Sequence, residues 1–259
     1  MYNSMKRIED LTITNLHWLN YKTFIIELES PENLPEIHPG NFAEIEITNS
    51  PKVFLRRPFS VYDVNYENNT ISFFVKVIGE GTRLLGEAKK GERLNVIYPL
   101  GNAFSVPQSG HVLIVGGGSG IAPFILYGRE LKKHGIKATF LFGARNSDEI
   151  VLVDQFREFG EVLVTTEDGS LGEKGLVTQH SIFRNDKLPF DMIATCGPDP
   201  MMKAMAGIAK DKGIACEASL ENTMACGFGA CLCCITPTTK GNLCVCTDGP
   251  VFNVNELKW

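Results

Sequence analysis

The sequence predicts a β + α/β protein with three parts: an antiparallel β-barrel domain over residues 1–105, a doubly wound parallel-sheet domain over 106–218, and a small cysteine-rich segment over 219–259. Three observations lead to this prediction. Short runs with strand patterns fill the first part, strand and helix patterns alternate in the second, and six of the eight cysteines lie between Cys226 and Cys246. A chain of 259 residues is long enough for two domains and a smaller third piece.

The composition excludes several classes of protein. The net charge is −5 and no basic stripe is visible, which argues against nucleic acid as a partner. The N-terminal residues lack the apolar region of a secretory signal. The longest apolar stretch, Val112–Tyr127, is too short and too rich in glycine to span a bilayer. We therefore expect a cytoplasmic protein with no membrane partner, in which clustered cysteines indicate a metal site rather than disulfides.

The first part contains strand patterns separated by turn signals. Ala43–Ile47 alternates apolar and charged residues, as a half-buried strand does, and Pro39-Gly40 marks a turn before it. Several short strands at this spacing are typical of a barrel or sandwich. The predicted strands are Leu11–Leu16, Thr23–Glu29, Phe42–Thr48, Phe59–Val64, Thr70–Ile78 and Arg93–Ile97, and the predicted helix is Thr82–Ala88.

The second part alternates strands with helices, which is typical of a doubly wound parallel sheet. The predicted strands are His111–Val115, Ala138–Gly143, Glu161–Thr166, Met192–Cys196 and Ile214–Ala218. The predicted helices are Ala122–His134, Val153–Phe159, Val177–Phe183 and Pro200–Asp211.

Two patterns in the barrel part are suited to binding phosphate. Arg57-Pro58-Phe59-Ser60 opens a strand, and an arginine offers a forked set of donors to a pyrophosphate. Gly79-Glu80-Gly81-Thr82 precedes the predicted helix, whose N-terminus favours anions. Each pattern alone fits a plainer interpretation, a solvated arginine or a turn capped by Thr82. Their combination favours a phosphate site.

The run Gly116–Pro123 follows a buried strand and precedes a helix, which is the context of a dinucleotide-binding loop. Pro123 replaces the last glycine of the usual pattern, and a proline is tolerated in a first helical turn. The acidic residue expected to bind the ribose is missing. The next strand instead ends in Gly143-Ala144-Arg145-Asn146. Arg145 could favour a 2′-phosphate, so NAD and NADP both remain open. The alternative is a tight strand–helix turn.

Cys196-Gly197-Pro198-Asp199-Pro200-Met201 follows the fourth strand of the predicted sheet. Ligands of doubly wound sheets bind at the carboxyl ends of the strands. The Cys196 thiol could therefore lie against a nicotinamide. The alternative is a buried free cysteine, which is the usual state of a lone cysteine.

The cysteine-rich segment carries the strongest pattern. Cys226, Cys231 and Cys234 have the C-x₄-C-x₂-C spacing of plant-type 2Fe-2S proteins, and Gly227 and Gly229 allow the loop to curl. The alternatives are a zinc site and a redox pair of Cys231 with Cys234, although zinc ribbons favour two separated C-x₂-C pairs. Six cysteines compete for four ligand positions. Spacing alone leaves Cys244 and Cys246 both open.

Taken in order, these motifs resemble the ferredoxin-NADP reductase superfamily and, more narrowly, the electron-transfer subunits of NAD-dependent (class 1B) dihydroorotate dehydrogenases. The resemblance covers essentially the whole chain. The motifs are Pro39–Phe42, Arg57–Ser60, Gly79–Thr82, Gly116–Pro123, Cys196–Met201, Ser219–Gly227 and Cys246–Phe252. In that family the fourth cluster ligand directly precedes a tail like Thr247–Phe252. The resemblance therefore implies Cys226, Cys231, Cys234 and Cys246 as the ligands, and it leaves Cys233 spare.

The resemblance also implies the chemistry. The cofactors would be FAD and one 2Fe-2S cluster, with NAD as substrate, and Ser60 and Cys196 would flank the hydride path. The partner would be an FMN-containing catalytic subunit, with two copies of each chain in a heterotetramer. Electrons would pass from that FMN through the cluster and FAD to NAD⁺, in pyrimidine biosynthesis. The implied cofactor-binding residues are Arg57, Pro58, Phe59, Ser60, Phe74, Val75, Lys76, Gly81, Thr82, Gly116, Gly118, Gly120, Pro123, Arg145, Gly197, Pro198 and Met201.

The chain also departs from the superfamily. The gap between Cys234 and Cys246 is far shorter than in plant ferredoxins, which excludes a separate ferredoxin domain. Trp259 is not in register with the C-terminal aromatic residue that covers the flavin of plant-type reductases. Two alternatives therefore stay open. One is a related subunit of a ferredoxin:NADP oxidoreductase, hydrogenase or sulfide reductase, and the other is a zinc-stapled interaction module with no enzymatic activity.

Overall fold

A computed structural model of the chain describes residues 6–47 and 52–259. The first part forms a closed antiparallel barrel with the strand order β1-β2-β5-β4-β3-β6, which confirms the predicted barrel. Thr48, the predicted end of the third strand, lies outside the described residues. The strands are β1 (Arg7–Asn20), β2 (Thr23–Glu29), β3 (Phe42–Ile45), β4 (Arg57–Asn65), β5 (Thr70–Lys76) and β6 (Arg93–Leu100), and the helix α1 spans Glu80–Gly86.

Alternating side chains fill the barrel. Phe24, Ile26 and Leu28 of β2 are fully buried, as are Leu11 and Ile13 of β1. Burial of a large apolar side chain contributes about 1.5–3 kcal/mol. The period of two in these strands therefore directs one face of each strand to a common core, and the barrel closes around it.

The second part forms a seven-stranded sheet with the order β10-β9-β8-β7-β11-β12-β15, whose last strand, β15 (Val251–Asn253), comes from the C-terminal segment. Its pairs are parallel except for the last one, between β12 and β15. Val112–Val115 in the central strand is buried at every position, as expected for a strand covered on both faces. The first six strands in chain order are β7 (His111–Gly117), β8 (Lys137–Ala144), β9 (Glu161–Thr166), β10 (Glu173–Lys174), β11 (Met192–Cys196) and β12 (Ala215–Ser219). The helices are α2 (Phe124–Lys133), α3 (Val153–Arg157) and α4 (Asp199–Lys212).

One predicted helix is wrong. In place of a helix over Val177–Phe183, the chain forms two 3-10 turns, Val177–Gln179 and Ser181–Arg184. His180 separates them because its backbone is extended, with φ −57° and ψ 142°. Its Nδ1 atom accepts a hydrogen bond from the Ile182 amide and so begins the second turn.

The C-terminal segment contributes a strand to the sheet, which the sequence analysis did not predict. After the hairpin of β13 (Ile235–Thr238) and β14 (Gly241–Cys244) and the short helix α5 (Val245–Asp248), β15 (Val251–Asn253) pairs antiparallel with β12. A strand of three residues is too short to produce a visible sequence pattern. Because β15 pairs with β12, the C-terminal segment is joined to the seven-stranded sheet at both of its ends. No helix within the described residues is long and apolar enough to cross a membrane.

Candidate functional site

A cleft of about 260 Å³ lies between the barrel and the sheet. Its walls include seven of the predicted cofactor-binding residues: Arg57, Pro58, Phe59, Ser60, Phe74, Lys76 and Thr82. They also include residues that the sequence analysis did not assign to the cofactors: Phe42, Ile78, Ser119, Ala122, Ser219, Leu220, Glu221, Asn222, Met224 and Pro250. The Val75 side chain is fully buried in the barrel core. A second cavity, of about 420 Å³, lies beside α1, and the residues that line it are not predicted site residues.

The two predicted phosphate-binding features of the barrel lie next to each other. A Cβ atom on Gly81 would come 3.2 Å from Nε of Arg57. The Thr82 hydroxyl accepts hydrogen bonds from the amides of Ile78 and Gly79 and so orders the turn before α1. Nη1 of Arg57 donates to the Leu55 carbonyl, which holds the guanidinium beside this turn. A cation and a closely approachable backbone are therefore combined at one end of the cleft, as a pyrophosphate requires.

The two nucleotide motifs of the sheet are also in contact. A Cβ atom on Gly117 would lie 2.7 Å from Sδ of Met201, and one on Gly120 would lie 2.2 Å from the Cys196 carbonyl oxygen. Gly118 has a φ of +58°. The glycine loop after β7 therefore needs its lack of side chains to pack against the turn after β11. Pro123 lies at the N-cap of α2, outside the walls of the cleft.

Glu149, in the short turn after β8, links the seven-stranded sheet to the barrel. Lys22 and Lys76 of the barrel donate hydrogen bonds to its two carboxylate oxygens at 2.8 and 2.9 Å. The hydrogen bond from Lys22, with that from Lys76, lowers the pKa of Glu149 to about 2 despite the opposing effect of burial. Arg145 approaches the same carboxylate, with its Nε at 3.6 Å. Sequence reasoning missed Glu149, although it is an acidic residue only a few positions beyond Arg145.

Lys76 also lies close to the glycine loop, Gly116–Gly120. Nζ of Lys76 lies 3.8 Å from the position of a Cβ atom on Gly118. The barrel therefore places the positive charge of Lys76 close to Gly118 of the glycine loop. Arg145 itself is largely exposed, with 69% of its side chain accessible.

Cys196 lies at the end of β11 and is almost fully buried. Its Sγ atom lies 3.8 Å from Oε1 of Glu221. Burial raises the pKa of the Cys196 thiol well above its usual value, and the nearby Glu221 carboxylate raises it further. The thiol is therefore protonated at neutral pH. Glu221 and Ser60 both line the cleft, and the signal for Glu221 was its place in the Ser219–Gly227 motif.

In the cysteine loop, residues 226–246, backbone amides donate hydrogen bonds to cysteine sulfur atoms. The Cys231 amide donates to Sγ of Cys226 at 3.4 Å, and the Cys246 amide donates to Sγ of Cys234 at 3.4 Å. All eight cysteines are free thiols. Gly227 and Gly229 have φ values of +72° and +85°, which only glycine adopts without strain.

These contacts change the acidity of the thiols. Burial opposes ionisation of Cys226, but hydrogen bonds from the amides of Phe228, Cys231 and Ala230 lower its pKa to about 6. Burial, together with Cys234, raises the pKa of Cys246 to about 12. Sulfur atoms that accept amide hydrogen bonds, on a curled loop, fit an anionic iron–sulfur cluster. Among residues 6–47 and 52–259, no group of three or more His, Cys, Asp or Glu side chains is placed to hold a metal ion.

Two known protein families match parts of the chain. The family described as "Iron-sulfur cluster binding domain of dihydroorotate dehydrogenase B" matches residues 221–258. The family described as "Oxidoreductase NAD-binding domain" matches residues 114–207. The first match contains both Cys244 and Cys246, so it does not choose between them.

Relatives that match most or nearly all of the chain show the family to which it belongs. The chain is 34% identical to the "Dihydroorotate dehydrogenase B (NAD(+)), electron transfer subunit" of Fusobacterium nucleatum, over 97% of this chain and 99% of the relative. It is 42% identical to the subunit of the same name from Caldanaerobacter subterraneus, over 85% of this chain and 87% of the relative. The chain belongs to the family of dihydroorotate dehydrogenase B electron transfer subunits. The resemblance found in the sequence is thereby confirmed.

Solved structures extend the comparison beyond this subunit family. A chain from the NADH-dependent reduced ferredoxin-NADP oxidoreductase structure superposes with a TM-score of 0.87 at 33% identity, covering 96% of this chain and 90% of that one. A ferredoxin NADP⁺ reductase from Neisseria gonorrhoeae superposes with a TM-score of 0.66 at 18% identity, covering 80% of this chain and 92% of that one. The second likeness concerns the fold alone. Electron transfer subunits of dihydroorotate dehydrogenase B thus share their fold with ferredoxin reductases.

Proposed function

We propose that this chain is the electron-transfer subunit of an NAD-dependent dihydroorotate dehydrogenase and that it binds FAD and one 2Fe-2S cluster. The observation that carries the proposal is that the residues just before the cysteine loop also line the cleft. The cleft between barrel and sheet is lined in part by Ser219–Asn222 and Met224, and Cys226 follows Met224 after a single residue. A flavin site in the cleft and a cluster on the cysteine loop would therefore be neighbours in one chain.

Two groups of residues would hold the FAD. Arg57, Gly81 and Thr82 supply the cation and the close backbone for its pyrophosphate. Phe59, Ser60 and Phe74 line the cleft beside them. When bound, FAD would exchange a hydride with NAD and single electrons with an iron–sulfur cluster.

The sheet side of the cleft would receive the nicotinamide nucleotide. In the loop that contains Gly116, Gly118 and Gly120, the glycines at 116 and 120 allow close packing against Phe142 and the Cys196 carbonyl, and Gly118 faces Lys76, which adds a positive charge. The neutral Cys196 thiol would lie at the nicotinamide without placing a charge there, across from Ser60. Gly197, Pro198 and Met201 pack behind the glycine loop and support its shape.

The cysteine loop would hold the cluster through Cys226, Cys231, Cys234 and Cys246. Backbone amides already point at the sulfurs of Cys226 and Cys234, and they would stabilise the thiolates that iron requires. Cys233 and Cys244 are left as spare thiols. The name of the family implies a catalytic partner subunit. We infer that this partner contains FMN, that two copies of each chain form a heterotetramer, and that the complex is cytoplasmic.

One alternative has its own support. The chain is about as similar to a subunit of a ferredoxin-NADP oxidoreductase structure as it is to the Fusobacterium subunit, at 33% and 34% identity. The same cofactors would then serve a different partner. The sheet and the cysteine loop are compatible with both roles, so the partner has to be identified by experiment.

The experiment mixes the purified holo-chain with a class 1B dihydroorotate dehydrogenase catalytic subunit and follows NAD⁺ reduction by dihydroorotate. We expect NADH formation that requires both chains, and no comparable rate when reduced ferredoxin replaces dihydroorotate and the catalytic subunit. Turnover with ferredoxin and none with the catalytic subunit would contradict the proposal and support the alternative. The catalytic subunit alone and the chain alone are the controls.

A further inference from the structure

Glu44 is a buried acid on the outer face of the barrel. Its neighbours Ala43 and Ile45 point into the barrel core, so the Glu44 side chain points outward from β3. The residue is nevertheless 0% exposed. Within the described part of the chain, neither of its carboxyl oxygens has a hydrogen-bond partner.

The cysteine loop is what covers this carboxyl. A Cβ atom on Gly227 would lie 2.8 Å from Cγ of Glu44 and 3.4 Å from its Oε1. Gly227 directly follows Cys226 and has a φ of +72°, so the backbone of the loop packs against the acid at this position. The neighbouring Phe42 packs in the same apolar cluster as Cys234 and Cys246. The outer face of β3 is therefore the surface on which the cysteine loop rests.

A carboxyl in this position should be neutral. Removing an ionised carboxylate from water without a partner costs far more than removing the protonated acid. Burial accordingly raises the pKa of Glu44 to about 7; Arg56 and Arg57 oppose the rise and Cys226 adds to it. A bound cluster with four thiolates would add further negative charge and favour the neutral acid still more. A neutral carboxyl carries one O–H donor, and the described residues offer it no acceptor.

We propose that Glu44 is a positioning residue of the iron–sulfur site: its buried carboxyl O–H, which has no acceptor within the described chain, would donate a hydrogen bond to a sulfur atom of the bound cluster and so raise the reduction potential of the cluster. The inference rests on the cluster-binding role proposed above. Hydrogen bonds to the sulfurs are among the factors that set the potential of an iron–sulfur cluster, because they draw negative charge from it. The barrel would then control the cluster through one side chain that is remote from the cysteines in sequence.

The test compares Glu44→Leu and Glu44→Gln with the matched control Glu46→Gln. Glu46 lies two residues along the chain, but its side chain is half exposed and pairs with Arg56 at 3.0 Å. Each holo-chain is assayed for iron and for thermal stability. The cluster is then titrated potentiometrically at pH 6, and its reduced fraction is read from the EPR signal. A pH of 6 is chosen because a fully buried carboxyl without a partner favours its neutral form.

We expect Glu44→Leu to bind iron normally but to lower the ratio of reduced to oxidised cluster about tenfold at the wild-type midpoint potential, the equivalent of one lost hydrogen bond. Glu44→Gln keeps N–H donors and should stay within about twofold of wild type. Glu46→Gln should match wild type. Because leucine replaces a buried polar group by an apolar one, the variant should fold at least as stably.

Four results would overturn the inference. An unchanged potential in Glu44→Leu would make the acid purely structural, and a higher potential in both Glu44 variants would show an ionised carboxylate. If Glu44→Leu fails to fold, a potential in Glu44→Gln that differs from wild type by tenfold or more would contradict the donor role, and a near wild-type value would support it. A wild-type chain without a cluster would overturn both this inference and the proposed function. A normal wild-type cluster with unresponsive variants overturns only the inference.

Discussion

The junction between barrel and sheet and the cysteine loop are held together in different ways. At the junction, side chains from both domains pair directly: Lys22 and Lys76 with Glu149, Asp63 with Arg129, and the Tyr62 hydroxyl with Gln155. The cysteine loop has few such pairs, and it exposes more than half of Phe228 and Leu232. Its local order comes from amides directed at sulfurs and from residues with positive φ.

The difference indicates which contacts depend on a cofactor. The junction is made of contacts that are complete in the protein alone, so it should keep its geometry with or without ligands. The loop orients donors toward the sulfur atoms of Cys226 and Cys234, which we propose as ligands of a cluster, so its full set of contacts needs that cluster. We therefore expect loss of the cluster to unfold the loop locally and to leave the barrel–sheet junction intact.

The largest expected effect is on the loop. Cys234→Ala should abolish cluster binding because it removes a buried ligand, and iron analysis with the EPR spectrum of the reduced protein measures the loss. The adjacent and exposed Cys233 is the matched control, and Cys233→Ala should keep a normal signal. A full signal in Cys234→Ala would exclude it as a ligand.

The fourth ligand needs a separate comparison. Cys246→Ala should also lose the cluster, because its amide and its buried position place it against Cys234. Cys244→Ala should keep the cluster. Retention of the signal in Cys246→Ala together with its loss in Cys244→Ala would reverse the assignment.

The next effect concerns the cleft. Arg57→Ala should release FAD during purification, because the cation beside Gly81 is lost; the ratio of flavin absorbance to protein measures it. Arg56→Ala is the control, since Arg56 instead binds the Asn95 carbonyl and Glu46. Full flavin occupancy in Arg57→Ala would place the pyrophosphate elsewhere.

Gly227→Ala should destabilise the loop by about 2 kcal/mol, since it combines a left-handed backbone with a close contact to Glu44. Hydrogen exchange of the loop amides is the measurement. Gly241→Ala separates the two causes, because Gly241 has a φ of +108° but open space around it. It should cost only the backbone strain, about 1 kcal/mol. Equal costs in both variants would mean that the contact with Glu44 contributes nothing.

The smallest expected effect is at the junction. The folded-state pKa of Glu149 is lowered from 4.5 to about 2, so its ion pairs stabilise the fold above pH 4.5 and lose their effect as the pH falls toward 2. Glu149→Gln should lower the free energy of unfolding by about 1–2 kcal/mol at pH 7, after allowance for screening by solvent. The deficit should shrink below pH 4.5. Asp148→Asn is the control, and a deficit that is constant with pH would contradict the ion-pair account.

The sequence predicted those parts of the molecule that depend on local pattern. Alternation identified the barrel strands, and glycines between a strand and a helix identified the loop at Gly116–Gly120. The two patterns predicted to bind phosphate, at Arg57 and at Gly81, lie next to each other in the fold, while their role in binding phosphate stays a prediction. The spacing of the cysteines pointed to a cluster, and the match of residues 221–258 to an iron–sulfur domain supports that interpretation.

What the sequence did not reveal depends on long-range contacts. Glu149 acquires its role only because two barrel lysines reach it, and Glu221 only because the chain turns back to Cys196. β15 is too short to show a period, and it exists because β12 offers it an open edge. The predicted helix over 177–183 failed at His180, whose extended backbone is compatible with only short turns on either side.

The central claim is that one chain links a nicotinamide nucleotide, a flavin and an iron–sulfur cluster. The most direct measurement is an anaerobic titration of the purified holo-chain with NADH, followed by visible absorbance and by EPR. The account predicts that NADH bleaches the flavin bands and that the EPR signal of a reduced 2Fe-2S cluster then appears, without any partner protein. A chain whose flavin is bleached by NADH while its cluster never becomes EPR-active, or a chain that binds neither group, would contradict it.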